Sequence, residues 1–239
     1  MNQPLSYSRI RLFMACPKQY AFRLAGRPQT SLPLIMTRGK YAHAFYEKYT
    51  RTCLETNSMQ NLAILDDLKR SVFREACQDS ARDGEPFLSP RDWDEVFEML
   101  CRPWAERTAL PVDNISGVEV KWARRDDGME TGFNAKTAWM RGVLDRVEHL
   151  GKGVVRVVDY KTGYGGHGDP MQSDIYAWAM LQDEDTKEVT VVFEHTAMDK
   201  REVYEYTKMD LPVLDKQLRV MAEAILSCEE YNPRPGVAC

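Results

Sequence analysis

No apolar run in the sequence approaches the length of a membrane span, and its first residues form no apolar signal-peptide core. The expectation is a soluble, cytoplasmic protein. The six cysteines include no Cys-x-x-Cys pair and make no secreted disulfide framework. Cys53, Cys77 and Cys101 lie in helical patterns and read as small packed hydrophobes. Internal repeats and low-complexity tracts are absent. The glycine-rich stretch Gly163-Tyr164-Gly165-Gly166-His167-Gly168 lacks the P-loop lysine and the Rossmann spacing, so it reads as a loop rather than a nucleotide cradle.

Acid is missing from one place in particular. Residues 1–40 contain seven basic side chains (Arg9, Arg11, Lys18, Arg23, Arg27, Arg38, Lys40) and no Asp or Glu. Taking those seven from the 32 basic residues of the chain leaves 25 against all 36 acidic ones. A basic leading segment on an acidic body suggests a surface for a polyanion. The competing reading, a solubilising basic face, has equal weight on charge alone.

What is present is enough to fold. The 239 residues, 44% of them hydrophobic, suffice for one sizeable α/β domain. Ser6 can cap a short helix that Cys16-Pro17 breaks, and a second runs from Gln19 to Leu24. Residues 37–52 read as a helix with Ala42, Phe45, Tyr46 and Tyr49 on its apolar stripe. Residues 60–82 and 89–107 read as two more amphipathic helices. After Pro111 the period changes to strands, at residues 116–123, 139–147 and 154–161. Helix 169–182, strands 188–195 and 201–207 and a last helix, 212–230, complete the pattern.

The chemistry gathers on the strand Val154–Lys161. Alternation sends Asp159 and Lys161 to one face and Tyr160 to the other. The preceding strand carries Gly142-Val143-Leu144-Asp145, and pairing the two would bring Asp145 and Asp159 together. Two carboxylates at one spot repel unless a cation lies between them, and oxygen ligands suit Mg²⁺ or Mn²⁺. An acid-x-Lys pattern also occurs at Asp67, Glu119 and Asp185, where a solvated ion pair is the better reading. Only the Asp159 pattern follows a strongly apolar strand. These residues suggest a metal-dependent phosphodiesterase site. His43 stands on the second turn of its helix, four residues after Gly39, a residue that permits close approach of a neighbouring backbone.

Five stretches then carry a resemblance: Ser8-Arg9-Ile10 with Cys16-Pro17-Lys18-Gln19-Tyr20; Arg38-Gly39 with His43; Gly142 to Val147; Val158 to Gly163; and Gln172-Ser173-Asp174-Ile175-Tyr176. In this order they resemble the RecB-like group of the PD-(D/E)XK nucleases, most closely the CRISPR-associated RecB-like exonucleases and the nuclease domains of bacterial helicase–nucleases. The resemblance implies an α/β restriction-endonuclease-like core, a central mixed sheet flanked by helices, with an N-terminal helical layer. Residues 1–239 would form one nuclease domain: a basic segment 1–36, a helical subdomain 37–110, a catalytic core 111–210, and a C-terminal helix and tail 211–239.

By the same resemblance His43, Asp145, Asp159 and the Tyr160 carbonyl ligate Mg²⁺ or Mn²⁺. Asp145, Asp159 and Lys161 are the catalytic group, with Lys161 orienting the attacking water. Gln172 and Tyr176 contact DNA and support the site. Arg9, Arg11 and Lys18 are expected along the DNA path, and Glu119 is a further candidate for the acidic cluster. Cys16 and Cys239 match two ligands of a [4Fe–4S] cluster, whose other ligands would have to lie beyond Cys239. The expected function is metal-dependent hydrolysis of DNA, exonucleolytic on single strands or ends, with protein partners in a DNA-processing or CRISPR adaptation complex. The lack of a helicase motif favours a standalone nuclease. The alternatives are a catalytically silent, nuclease-fold DNA-binding or assembly subunit and a structure-specific repair endonuclease.

Overall fold

A computed structural model of the chain describes residues 4–26, 34–84, 86–163 and 166–233. Five strands form one sheet in the order β1 (Ile115–Arg124), β2 (Met140–Gly151), β3 (Val154–Lys161), β4 (Glu188–His195) and β5 (Lys200–Thr207). Only β3 and β4 run parallel. Parallel neighbours need a crossover, and α7 (Pro170–Leu181) supplies it. The sheet is therefore mixed and flanked by helices, the restriction-endonuclease-like arrangement expected.

Period-two alternation divides the core between the two faces of β3. Val155 and Val157 pack with α1 (Tyr7–Ala15), α2 (Pro17–Leu24), α7 and α8 (Leu211–Leu226). Val158 and Tyr160 pack on the opposite face. Their partners are α3 (Leu34–Glu55), α4 (Leu65–Asp83) and a broken helical run, α5 (Pro90–Val96) and α6 (Arg102–Arg107). Burying such side chains is worth about 1.5–3 kcal/mol each, so both layers are tied to the same strand.

Local chemistry explains most boundaries. Ser6 Oγ accepts the Arg9 N–H at 3.4 Å and starts α1. Cys16 Sγ accepts the Gln19 N–H at 3.4 Å, and Pro17 occupies the first turn of α2. One expectation needs correction: residues 89–107 are not a continuous α-helix. Pro103 has no N–H to donate, and a wide π turn, Phe97–Cys101, precedes it. The last helix ends at Leu226, short of Glu230. Among the described residues no helix is long and apolar enough to cross a membrane.

Candidate active site

The site forms where β2 and β3 part. Their ladder ends at Arg146 opposite Val158. Beyond it, Asp145 Oδ2 accepts the Tyr160 N–H at 2.7 Å in place of a strand carbonyl. On the other side of Asp145, the β1–β2 pairs Val118–Arg146 and Val120–Leu144 flank Glu119, whose φ is +52°. Left-handed backbone at a glutamate stores about 1–3 kcal/mol of strain. It also breaks the alternation, as irregular strand positions beside active sites do.

Helix α3 brings the third group. Its N-terminal half passes so close to the end of β3 that a Cβ at Gly39 would lie 3.1 Å from Thr162 Oγ1. His43, one turn further on, puts Nδ1 3.3 Å from Asp145 Oδ2. Ligand atoms of His43, Glu119 and Asp145 all lie within 4.8 Å of one another.

Asp159 has a different set of partners. Its Oδ1 accepts from Gln172 Nε2 at 2.9 Å and from Tyr176 Oη at 2.9 Å. Its Oδ2 is 2.7 Å from Lys161 Nζ, which also donates to Gln172 Oε1 at 2.7 Å. Gln172 and Tyr176, four apart on α7, share one helix face and bond each other at 2.6 Å. Asp169 caps that helix, and Tyr7 of α1 donates to Asp169 at 2.7 Å. The Lys161 ammonium lies 4.7 Å from the centre of the Phe193 ring.

The electrostatics are those of crowded carboxylates. Burial, then Asp145 and Glu47, push Glu119 up to about 7 against the pull of His43 and Arg51. Burial and Asp145 also raise Asp159, while Lys161 and His43 oppose the rise. Burial alone would lower His43, but Asp145, Asp159 and Glu119 outweigh it and lift the imidazole to about 9. An imidazole with oxygen donors, held together against their own repulsion, fits a divalent metal ion.

Several sequence expectations need restating against this geometry. Asp145 groups with His43 and Glu119, and Asp159 is engaged with Lys161 and α7. Glu119, the least secure candidate, stands inside the cluster. Of Tyr160, the amide is bound to Asp145 and the ring is buried beneath Tyr46 and Trp104. Gln172 and Tyr176, expected to contact DNA and support the site, are each only 6% exposed and direct their polar ends at Asp159. Arg11 and Lys18 are exposed, whereas Arg9 is half-buried and donates to the Pro4 carbonyl at 2.8 Å. Arg38 is paired with Asp92 and Glu95. Cys16 is buried at the α1–α2 corner. Cys239 lies outside the described residues, so the iron–sulfur expectation cannot be placed in the fold.

Comparison with known proteins gives the site a family. One component of the ATP-dependent helicase/deoxyribonuclease, from two strains of Streptococcus equi subsp. zooepidemicus, is 28% identical to this chain over 169 residues. That match takes in 67% of this chain and 14% of the relatives' length. A solved structure, the crystal structure of SSO0001, aligns over 49% of this chain and 52% of its own at 21% identity, with a TM-score of 0.30, too low to carry an argument. The family match rests on much more of the chain: the model of the PD-(D/E)XK nuclease superfamily covers residues 4–239, and the chain belongs to that superfamily.

Proposed function

We propose that this nuclease-family chain hydrolyses DNA phosphodiester bonds with a divalent metal, acting on single strands or from ends. The observation that carries the proposal is the convergence of His43, Glu119 and Asp145 beside the Asp159–Lys161 pair. His43, Glu119, Asp145 and Asp159 would hold Mg²⁺ or Mn²⁺, with the Tyr160 carbonyl as a further ligand. Bound there, the ion supplies Lewis-acid polarisation of the phosphate and lowers the pKa of a bound water.

The remaining work falls to the chain itself. A lysine ammonium has three donors. Two are taken by Asp159 Oδ2 and Gln172 Oε1, which fix the third in space. That third N–H would orient the attacking water or meet negative charge developing on the phosphate. Gln172 and Tyr176 hold Asp159 Oδ1 and so orient the carboxylate, whose one remaining lone pair, on Oδ2 beside Lys161, is kept for the cation. Tyr160's amide does the same for Asp145. Arg11 and Lys18 offer exposed positive charge to the DNA backbone.

The DNA substrate is supported by the name of the relatives, components of a helicase/deoxyribonuclease, and the same name favours assembly with a helicase. The CRISPR-associated context rests on sequence resemblance alone. The test is purified protein on end-labelled single- and double-stranded DNA with Mg²⁺, Mn²⁺ or EDTA. Metal-dependent shortening from an end is expected. Cleavage of covalently closed circles would replace the reading with an endonuclease. No cleavage under any metal would leave a silent DNA-binding protein.

A further inference from the structure

The sheet face that presents Asp145 continues past the helical layer. Along β2, Arg141, Val143 and Asp145 alternate with the buried Met140 and Leu144, and all three are half-buried. Across the ladder, Lys121 pairs with Val143 and Ala123 with Arg141. Lys121 and Arg141 therefore share the face of Asp145. The apolar cluster of α3 to α6 takes no member from residues 121–124 or 140–143, so that layer ends before reaching them.

A single aromatic organises these two cations. Phe133, in the loop between β1 and β2, has its ring centre 4.8 Å from the Arg141 guanidinium and 5.8 Å from Lys121 Nζ. Arg141 Nη1 also donates to the Phe133 carbonyl at 3.0 Å and to Asn134 Oδ1 at 3.2 Å. Neither cation is paired with a carboxylate among the described residues, unlike Arg124, Arg125 and Arg146 on the same strands or loop. Burial lowers the pKa of Arg9, and the field of Arg141 adds to that lowering. Positive charge thus extends from this platform toward α1.

Distance sets what such a platform can hold. Same-face residues on a strand recur at about 6.6 Å, so Lys121 and Arg141 lie roughly 7 and 13 Å along the sheet from Asp145. At about 3.4 Å per stacked nucleotide, that reach spans some two to four phosphates beyond one held at the cluster. We infer that Lys121, Phe133 and Arg141 form a backbone-binding platform for the substrate strand, engaging phosphates a few nucleotides from the bond that is cut. The inference rests on the nuclease reading above. It adds that the strand leaves the cluster over the β1–β2 end of the sheet. The ordinary alternative is that Phe133 merely pins its own loop.

The test uses the full chain in EDTA, with a fluorescein-labelled oligothymidylate titrated across a salt series. Each phosphate contact to a single strand contributes about 0.7 to the log–log salt slope. The double variant Lys121→Gln, Arg141→Gln should bind about tenfold more weakly and lose about 1.4 from the slope. Lys216→Gln, an exposed cation on α8, should keep wild-type values. If the double variant melts below wild type, exposed Lys121→Gln alone should still lose about 0.7 from the slope. Wild-type affinity and slope in the platform variants, or an equal loss in Lys216→Gln, would overturn the platform while leaving the nuclease reading intact. A wild-type protein that does not bind the oligonucleotide in EDTA and does not cut it with Mg²⁺ or Mn²⁺ would overturn both.

Discussion

Strand β2 carries two acids three residues apart, Asp145 and Glu148, and the protein treats them in opposite ways. Glu148 is fully buried, and both of its carboxylate oxygens are answered. Oε1 meets Arg146 Nε at 2.9 Å and Oε2 meets Arg156 Nη1 at 3.1 Å, while Arg146 reaches on to Tyr160 Oη at 2.5 Å. Asp145 faces Glu119 and Asp159 instead, with an imidazole as its charged neighbour. Glu148 is a closed network and Asp145 belongs to an open one. A buried charge that is answered inside the chain is structural, whereas crowded like charges are held ready for a cation from outside.

The comparison breaks most visibly at the closed network. Glu148→Gln removes the nearest negative partner of a buried arginine and should cost roughly 3–5 kcal/mol in chemical denaturation, since Arg146 keeps its charge with only Tyr160 and the field of Glu194 left to answer it. A loss below about 1 kcal/mol would mean that the network carries no weight.

Asp145→Asn should act the other way. Cleavage should fall on the order of 10²–10³-fold, while stability in EDTA holds or rises, because one of the crowded charges is gone. The asparagine carbonyl can still accept the Tyr160 N–H. Measured kcat/KM and Tm on the same preparation decide it, and a drop in both would make Asp145 structural.

Metal sharpens the contrast further. At a hundredfold excess over Kd, Mn²⁺ should stabilise the wild type by about 2.7 kcal/mol, reversed by EDTA and absent in Asp145→Asn. Glu148→Gln should still gain from Mn²⁺. Equal gains in wild type and Asp145→Asn would place the ion elsewhere.

The smallest effect belongs to a third acid, answered at the surface. Glu202 accepts the Gly168 N–H at 2.7 Å and Lys200 Nζ at 2.6 Å, and these donors, Lys200 first, lower its carboxyl to about 2. A depressed folded pKa stabilises above the unfolded value near 4.3 and loses that stability as pH falls toward 2. Glu202→Gln should therefore lower Tm at pH 7 by about 2–4 °C at most, with the gap closing between pH 4.5 and 2. A gap that persists at pH 2 would show that packing, not charge, is responsible.

Much of the site is legible along the chain because it is periodic. Alternation places Asp159 and Lys161 on one face, helical spacing aligns Gln172 with Tyr176, and Gly39 marks a close approach. Glu119 resists such reading. In a regular strand its direction would follow from its neighbours, but φ +52° breaks the rule at that one residue. The nearness of Asp145 and Asp159 is legible from the strands, but the partner that each takes is not. Register implies that they face each other, but the ladder opens one pair earlier and each acid takes its own partners. The π turn at Phe97–Cys101 is equally silent, since a single widened turn barely disturbs an apolar stripe.

By itself the sequence determined the order of elements, the apolar faces that bury them and the residue types delivered to the end of β3. These follow from side-chain alternation, helical period, caps and prolines, all set by neighbours a few positions away. Only the tertiary structure decided which acids share a cluster, that Arg38 is spent on Asp92 and Glu95, that Gln172 and Tyr176 turn inward, and that Glu148 is answered within 3.1 Å of two arginines. Electrostatic interaction depends on distance and burial in three dimensions, and residues as far apart in the chain as His43 and Asp145 acquire those only when the sheet and helices pack.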